Sequence, residues 1–205
     1  MRLWTVQNEV FWERLESDGA ITADLASVAA SCGKWSPEWS GAYEWLARRM
    51  AEMIGRPSPE AMPLWAWQQW LGDRRARPDL RSACHLPPGE RGVRIEFEAD
   101  SASVVLSDFN LWHFPLNYWY IGASEEDSDA FEAELATRGL DQYTQKPLPD
   151  SVYHKRIESS WDRVFDLDWD DWVHDKRSRS EKCIQATLWR ISLDAVADVK
   201  RFVAR

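Results

Sequence analysis

Fourteen tryptophans among 205 residues constrain this chain more than any other feature of its sequence. A buried indole removes a large apolar area from water but keeps one N–H that then needs an acceptor, so the core must carry polar groups among its rings. The tryptophans stand at 4, 12, 35, 39, 45, 65, 67, 70, 112, 119, 161, 169, 172 and 189, with no fixed period, and no tandem repeat follows. Dispersed in this way they read as core and pocket wall rather than as a platform for carbohydrate. The densest stretch is VVLSDFNLWHFPLNYWYIG, where Asp108, Asn110, His113 and Asn117 are set among Phe109, Trp112, Phe114, Trp119 and Tyr120. That mixture is either one exposed polar edge or a lined pocket.

The local patterns predict an order of strands and helices without regular βαβ repetition. LWTV reads as a strand, followed by a helix capped at Asn8 that carries Phe11 and Leu15 and stops at Asp18-Gly19. Ser36-Pro37 marks a second helix start, and Trp39, Tyr43, Leu46, Met50 and Ile54 then form one apolar stripe up to Gly55. LWAWQQW is extended. GVRIEFEAD alternates cleanly, with Val93, Ile95 and Phe97 on one face, and SVVLSDF continues as a further strand. Pro115 breaks the next segment into a turn and a short helix starting near Phe114. Ser124 or Ser128 caps a helix carrying Phe131 and Leu135 to Gly139, and QKPLPD reads as loop. ESSWDRVFDLDWDDWVHD is expected to be helical, with Trp161, Phe165, Trp169 and Trp172 inward; CIQATLWRIS alternates as a strand; and Ser192 is expected to cap a last helix with Val196, Val199 and Val203 inward. The prediction is α+β: a single domain over 1–205, of mostly antiparallel sheets flanked by amphipathic helices.

Charge and cysteine usage bound the function. A formal net charge of −9 disfavours binding a polyanion over a broad face, yet GDRRARPDLR gathers Arg74, Arg75, Arg77 and Arg81, which is either a solvated loop or a phosphate pocket. Cys32, Cys84 and Cys183 are odd in number and lack metal-ligand spacing. MRLWTVQNEV has no leader pattern and no apolar run approaches a membrane span, so the expected location is the cytoplasm, with no membrane partner. The acidic run from Asp166 to Asp175 fails as a calcium loop, because Asp171 and Arg177 stand where Gly and Glu are required. Asp170 and His174 supply two ligands where zinc needs three or four, so no metal is expected.

No GxSxG, P-loop or GxGxxG occurs. Four segments instead set polar residues in aromatic or apolar context: Thr5 and Gln7 in LWTVQ; Trp65 and Trp67 with Asp79 and Arg81 in PLWAWQQW through PDLR; Asp108 and His113 in SDFNLWH; and Gln185 and Thr187 in IQATLW. Their convergence on one indole-walled hollow is the expected site.

LWTVQ, PLWAWQQW with RPDLR, IEFEADSASVVLSDFNLWHFPLNYWY and IQATLWRI together resemble a bacterial family known as domain of unknown function 3841, over nearly the whole chain. The family description implies no activity. A looser likeness is to small NAD-dependent ADP-ribosyltransferase domains, which also open with a polar-bearing strand and a helix ending in Gly. That likeness implies a nicotinamide-ribose pocket and a late acidic residue that stabilises the oxocarbenium-like ribose. Here the late strand carries Gln185 and Thr187 in place of Glu, leaving Asp108 or Asp79 for that role.

The first expectation is therefore an NAD pocket for ribosyl transfer or glycohydrolysis. Trp65 or Trp67 stacks the base, Arg81 meets pyrophosphate, Thr5, Gln7 and Gln185 complete the lining, Asp108 stabilises positive charge and His113 handles the acceptor proton. Two alternatives stand beside it: a non-catalytic, aromatic-rich module that engages a protein partner, as in a two-gene pair or a phage accessory protein, and a transferase acting on RNA through the Arg74–Arg81 run.

Overall fold

A computed structural model of the chain describes residues 1–24, 37–169, 172–174 and 176–205. Strand β1 (Arg2–Asn8) runs straight into helix α1 (Glu9–Asp18), because the Asn8 side chain accepts the Phe11 N–H at 3.0 Å and so caps the first turn. Gly19 ends α1 in the left-handed conformation, with φ 73°, and β2 (Ala20–Asp24) follows. Helix α2 (Pro37–Ile54) occupies the predicted place, although its Ser36 cap lies outside the described residues. Its buried face is rotated from the predicted stripe: Ala42, Trp45, Leu46, Ala47 and Met50 are inside, and Trp39 is 46% exposed.

Strands β3 (Ala61–Met62), β4 (Leu64–Gln69), β5 (Arg91–Glu98) and β6 (Val105–Asp108) follow, and Val93, Ile95 and Phe97 of β5 are all buried, as alternation demands. Pro115 sits inside a single-turn helix α3 (His113–Asn117), near enough to its start that little hydrogen bonding is lost. Ser124 caps α4 (Glu125–Thr137), and Asp150 caps α5 (Ser151–Ser160). The last strands are β7 (Ile184–Leu188), β8 (Arg190–Ser192) and β9 (Val196–Val203).

Six strands form one sheet in the order β6-β7-β4-β1-β5-β9, and β3-β2-β8 form a second; every pairing is antiparallel, so the fold is α+β. Trp189 is the corner between the sheets, its Nε1 donating to the Gly55 carbonyl at 2.5 Å. One core lies between the large sheet, α1 and the small sheet, around Leu15, Ile21, Ile95 and Phe97. The other gathers Trp45, Trp112, Phe131, Tyr153 and Trp161 from the helical side against Val105 of β6.

Two expectations are corrected. The terminal segment is strand β9, paired along β5 from Val203 opposite Arg91 to Val196 opposite Phe97. A register shift leaves Ala197 as an extra residue, which returns Val196 and Val199 to one face, and the resulting spacing of three reads as helical in sequence. Pairing also satisfies the β5 backbone groups that a helix would have left unbonded. The Trp-rich acidic stretch is likewise not one helix: α5 stops at Ser160, 3-10 turns cover Trp161–Phe165 and Trp172–His174, and the Asp166 side chain accepts the Asp168 N–H at 3.2 Å. Asp side chains that bond nearby backbone favour such turns over helix interior. Asp170, Asp171 and Asp175 lie outside the described residues, and with them the two-ligand metal reading at Asp170.

Candidate functional site

Strand register decides which of the sequence-selected residues can meet, because side chains directly opposite each other share a face. Ser107, Gln185, Trp67, Trp4 and Glu96 form one row across β6, β7, β4, β1 and β5. Trp65 joins that face opposite Thr187. Thr5 and Gln7 alternate to the other face, opposite the core residues Ile95 and Val93. There Gln7 Nε2 donates to Thr5 Oγ1 at 2.9 Å, and Thr5 Oγ1 donates to the Trp65 carbonyl, also at 2.9 Å. The sheet therefore separates Thr5 and Gln7 from Trp65, Trp67 and Gln185.

Trp65 is drawn into the helical core, edge-on to Tyr43 and tilted on Trp112. Trp67 meets Phe109 edge-on at 5.0 Å, and Phe109 meets His113 at 5.1 Å, so Trp67, His113 and Gln185 are the part of the expected lining that is brought together, with Phe109 between the first two. Gln185 Oε1 and Ser107 Oγ, buried in adjacent strands, have no hydrogen-bond partner among the described residues. His113 is exposed, and its Nδ1 lies 3.1 Å from the Asn110 carbonyl.

Asp108 is 1% exposed and committed to neighbours. Its Oδ1 accepts the N–H groups of Asn110 at 2.8 Å and Leu111 at 3.4 Å, closing the turn that leads to α3. Its Oδ2 lies 3.5 Å from Nζ of Lys182, itself 1% exposed, which donates to the Trp169 carbonyl at 2.8 Å. Gln69 holds the same corner by donating to the carbonyls of Arg179 and Lys182. The sequence reading missed Lys182, since a lone Lys in SEKCIQ carries no sign of its burial.

Cys183 follows Lys182, and burial, with the Asp108 charge second, pushes its thiol pKa above the ordinary value. Cys84 is exposed. Brief iodoacetamide treatment of the folded protein at pH 8, read by peptide mass mapping, is expected to label Cys84 and leave Cys183 largely unmodified, because the thiolate is the reactive form. Equal labelling of the two would contradict this placement.

Arg81 lies in a different place, on the loop after β4. The loop is pinned by Trp70 N–H to the Ala76 carbonyl at 2.8 Å and by Asp73 N–H to the Ser180 carbonyl at 2.8 Å. Gly72 is required there: its φ is 76°, and a Cβ would stand 2.9 Å from the Ser180 carbonyl oxygen. Arg94 reaches up from β5 to donate to the Pro78 carbonyl at 2.9 Å. Together Trp70, Arg74, Arg75, Arg77, Arg81 and Arg94 line a concavity of about 440 Å³. Arg81 forks onto Asp79, with contacts of 2.7 to 3.1 Å, and holds the Asp79 carboxyl well below the usual carboxylate range. Partial burial, and then the Arg77 cation, lower the pKa of Arg94. Arg74, Arg75 and Arg77 form no ion pair among the described residues. The arginine run is legible in sequence; Arg94, which alternates away from the buried Val93 and Ile95 on β5, joins it only in the fold.

A second cluster escaped the sequence reading. Between α2 and α5 a cavity of about 390 Å³ is lined by Arg48, Tyr118, Lys146, His154 and Glu158, among others. Tyr118 accepts the Leu148 N–H at 3.0 Å, and its hydroxyl faces His154 Nδ1 at 2.7 Å, while Arg48 pairs with Glu158 at 2.8 Å. Burial raises the Tyr118 pKa. His154 and Glu158 are one turn apart on α5, but Arg48, Tyr118 and Lys146 come from distant segments that no local pattern joins to them.

The described structure is an antiparallel α+β protein with an arginine-lined loop over one sheet face; no described helix is long and apolar enough to cross a membrane. Residues 2–197 match the family model described as Domain of unknown function (DUF3841), and the chain belongs to that family. No curated protein and no solved structure gives a match.

Proposed function

We propose that the protein binds a phosphate-bearing small molecule of the nucleotide class, with NAD the first candidate, in the concavity formed by the loop after β4 and by Arg94. The observation that carries this reading is the gathering of Arg74, Arg75, Arg77, Arg81 and Arg94 around one hollow in a chain whose net charge is −9. Guanidinium groups match phosphate oxygens bidentately, and three of these five lack a carboxylate partner among the described residues. Trp70 on the same wall offers an aromatic face to a base.

Asp108 and His113 lie outside the concavity, and Asp108 is spent on Lys182 and on its own turn. If NAD is turned over here, Asp79 is the carboxylate on the wall that faces positive charge developing on the ribose. The interaction-module reading has less support, because Trp39 alone among the described tryptophans is exposed. An RNA strand would use the same arginines, and it is distinguished by length-dependent affinity.

Calorimetry and thermal unfolding with NAD, ADP-ribose, pyrophosphate and the phosphate-free nicotinamide riboside test the proposal. The phosphate-bearing compounds are expected to bind and to stabilise by about 2.7 kcal/mol at a hundred times Kd. Affinity should fall with salt and be lost in the Arg74→Ala/Arg77→Ala variant. Equal binding of nicotinamide riboside, or no shift with any compound, would overturn it.

A further inference from the structure

We infer that β9 is a self-association edge: two copies of the chain pair β9 to β9 antiparallel, about a two-fold axis at Val199, and join their large sheets. β9 ends the six-stranded sheet, and no described residue pairs with its outer side. An edge of this length displays unpaired N–H and C=O groups, which invite a further strand.

The charges select both the partner and the register. Within one copy, β9 places like charges directly opposite those of β5: Lys200 faces Arg94, and Asp198 faces Glu96. Such pairs are destabilising, and neither Asp198 nor Lys200 forms an ion pair among the described residues. A second β9 centred at Val199 sets the partner's Lys200 opposite Asp198 and the partner's Asp198 opposite Lys200, so one symmetric contact gives each an opposite charge in the directly facing position. Centring at 198 or at 200 would instead oppose two aspartates or two lysines. A shift by a single residue would turn Val199, which packs against the core beneath β5, out of line with the apolar face. The extra residue at Ala197 confines the new pairing to about Ala197–Arg201, the scale of a modest, concentration-dependent dimer. Arg201 is already held by Glu9 at 3.4 Å and needs nothing from the partner. The symmetry is closed, so pairing stops at two copies.

Sedimentation of the full chain across micromolar to millimolar concentrations tests the inference through charge swaps. The wild type is expected to show a monomer–dimer equilibrium. Asp198→Lys alone should raise the dimer dissociation constant about tenfold or more, since both cross-copy attractions become repulsions. The same change sets Lys opposite Glu96 but takes the Asp198 charge from Arg94 within one copy, so thermal stability at low concentration should change little, which separates lost association from lost folding. Lys200→Asp alone should behave likewise. Mixing the two single variants should restore association as a heterodimer, and the double swap should restore the homodimer. A wild type that stays monomeric at millimolar concentration, or a dimer indifferent to these swaps, would overturn the inference.

Discussion

Asp108→Asn is expected to destabilise the protein by about 3–5 kcal/mol, the cost of breaking a buried ion pair by removing one partner. The substitution keeps an oxygen that can still accept the Asn110 and Leu111 N–H groups, so the turn into α3 survives and the loss reports on the charge. Lys182 would lose the Asp108 carboxylate and keep the Trp169 carbonyl at its Nζ. Adding Lys182→Met removes the ammonium that faced the carboxylate, and the double variant is expected to lose less than the sum of the two single variants. Urea unfolding of the wild type, both single variants and the double variant closes the cycle. Additive losses would show that the two groups do not act as a pair. The effect matters because total stabilities of only about 5–15 kcal/mol are usual.

Trp161→Ala should cost a similar amount, about 3–5 kcal/mol, for a different reason. The side chain is 2% exposed, and Trp45 and Tyr118 meet it edge-on with ring centroids 5.4 and 5.9 Å away. Its Nε1 donates to the Trp119 carbonyl at 2.7 Å, so the ring ties α2, the end of α5 and the segment after α3 into one cluster. Deleting it leaves a cavity that rigid neighbours cannot fill and strands that carbonyl. Trp161→Phe keeps most of the volume and is expected to cost less, chiefly the lost hydrogen bond at about 1 kcal/mol plus imperfect filling. Denaturant midpoints and near-ultraviolet circular dichroism measure both; an alanine variant within 1 kcal/mol of the wild type would show that the cluster repacks.

Much of the architecture was legible because its cues are local. Asn8 bonds three residues ahead, Gly19 and Gly55 relieve backbone that other residues would strain, and Val93, Ile95 and Phe97 repeat at the strand period. The failures share one cause. Val196, Val199 and Val203 fit a helical spacing because a bulge at Ala197, forced by pairing with β5, displaced the strand pattern. The tryptophans of 161–172 also fit a helix, but short-range Asp bonds and a hydrogen bond to Trp119 hold them in turns.

The candidate site divides in the same way. Arg74, Arg75, Arg77 and Arg81 lie close together in the chain, so their clustering was visible before any fold was known, and the structure adds only Arg94. Asp108 and Thr5 were singled out as polar residues among rings, which is true of both. Burial against Lys182 makes the first a structural charge, and alternation along β1 sends the second to the core face.

Chain-local chemistry thus determined the caps, the turns, the alternating strands and the presence of a basic loop, because each depends on groups a few bonds apart. Which strand lies beside which, which face a side chain takes and which charge meets which depend on groups distant in the chain, whose approach is set by the total burial and pairing of the whole molecule. Those were decided only when β4 took its place beside β1, β7 beside β4 and β9 beside β5.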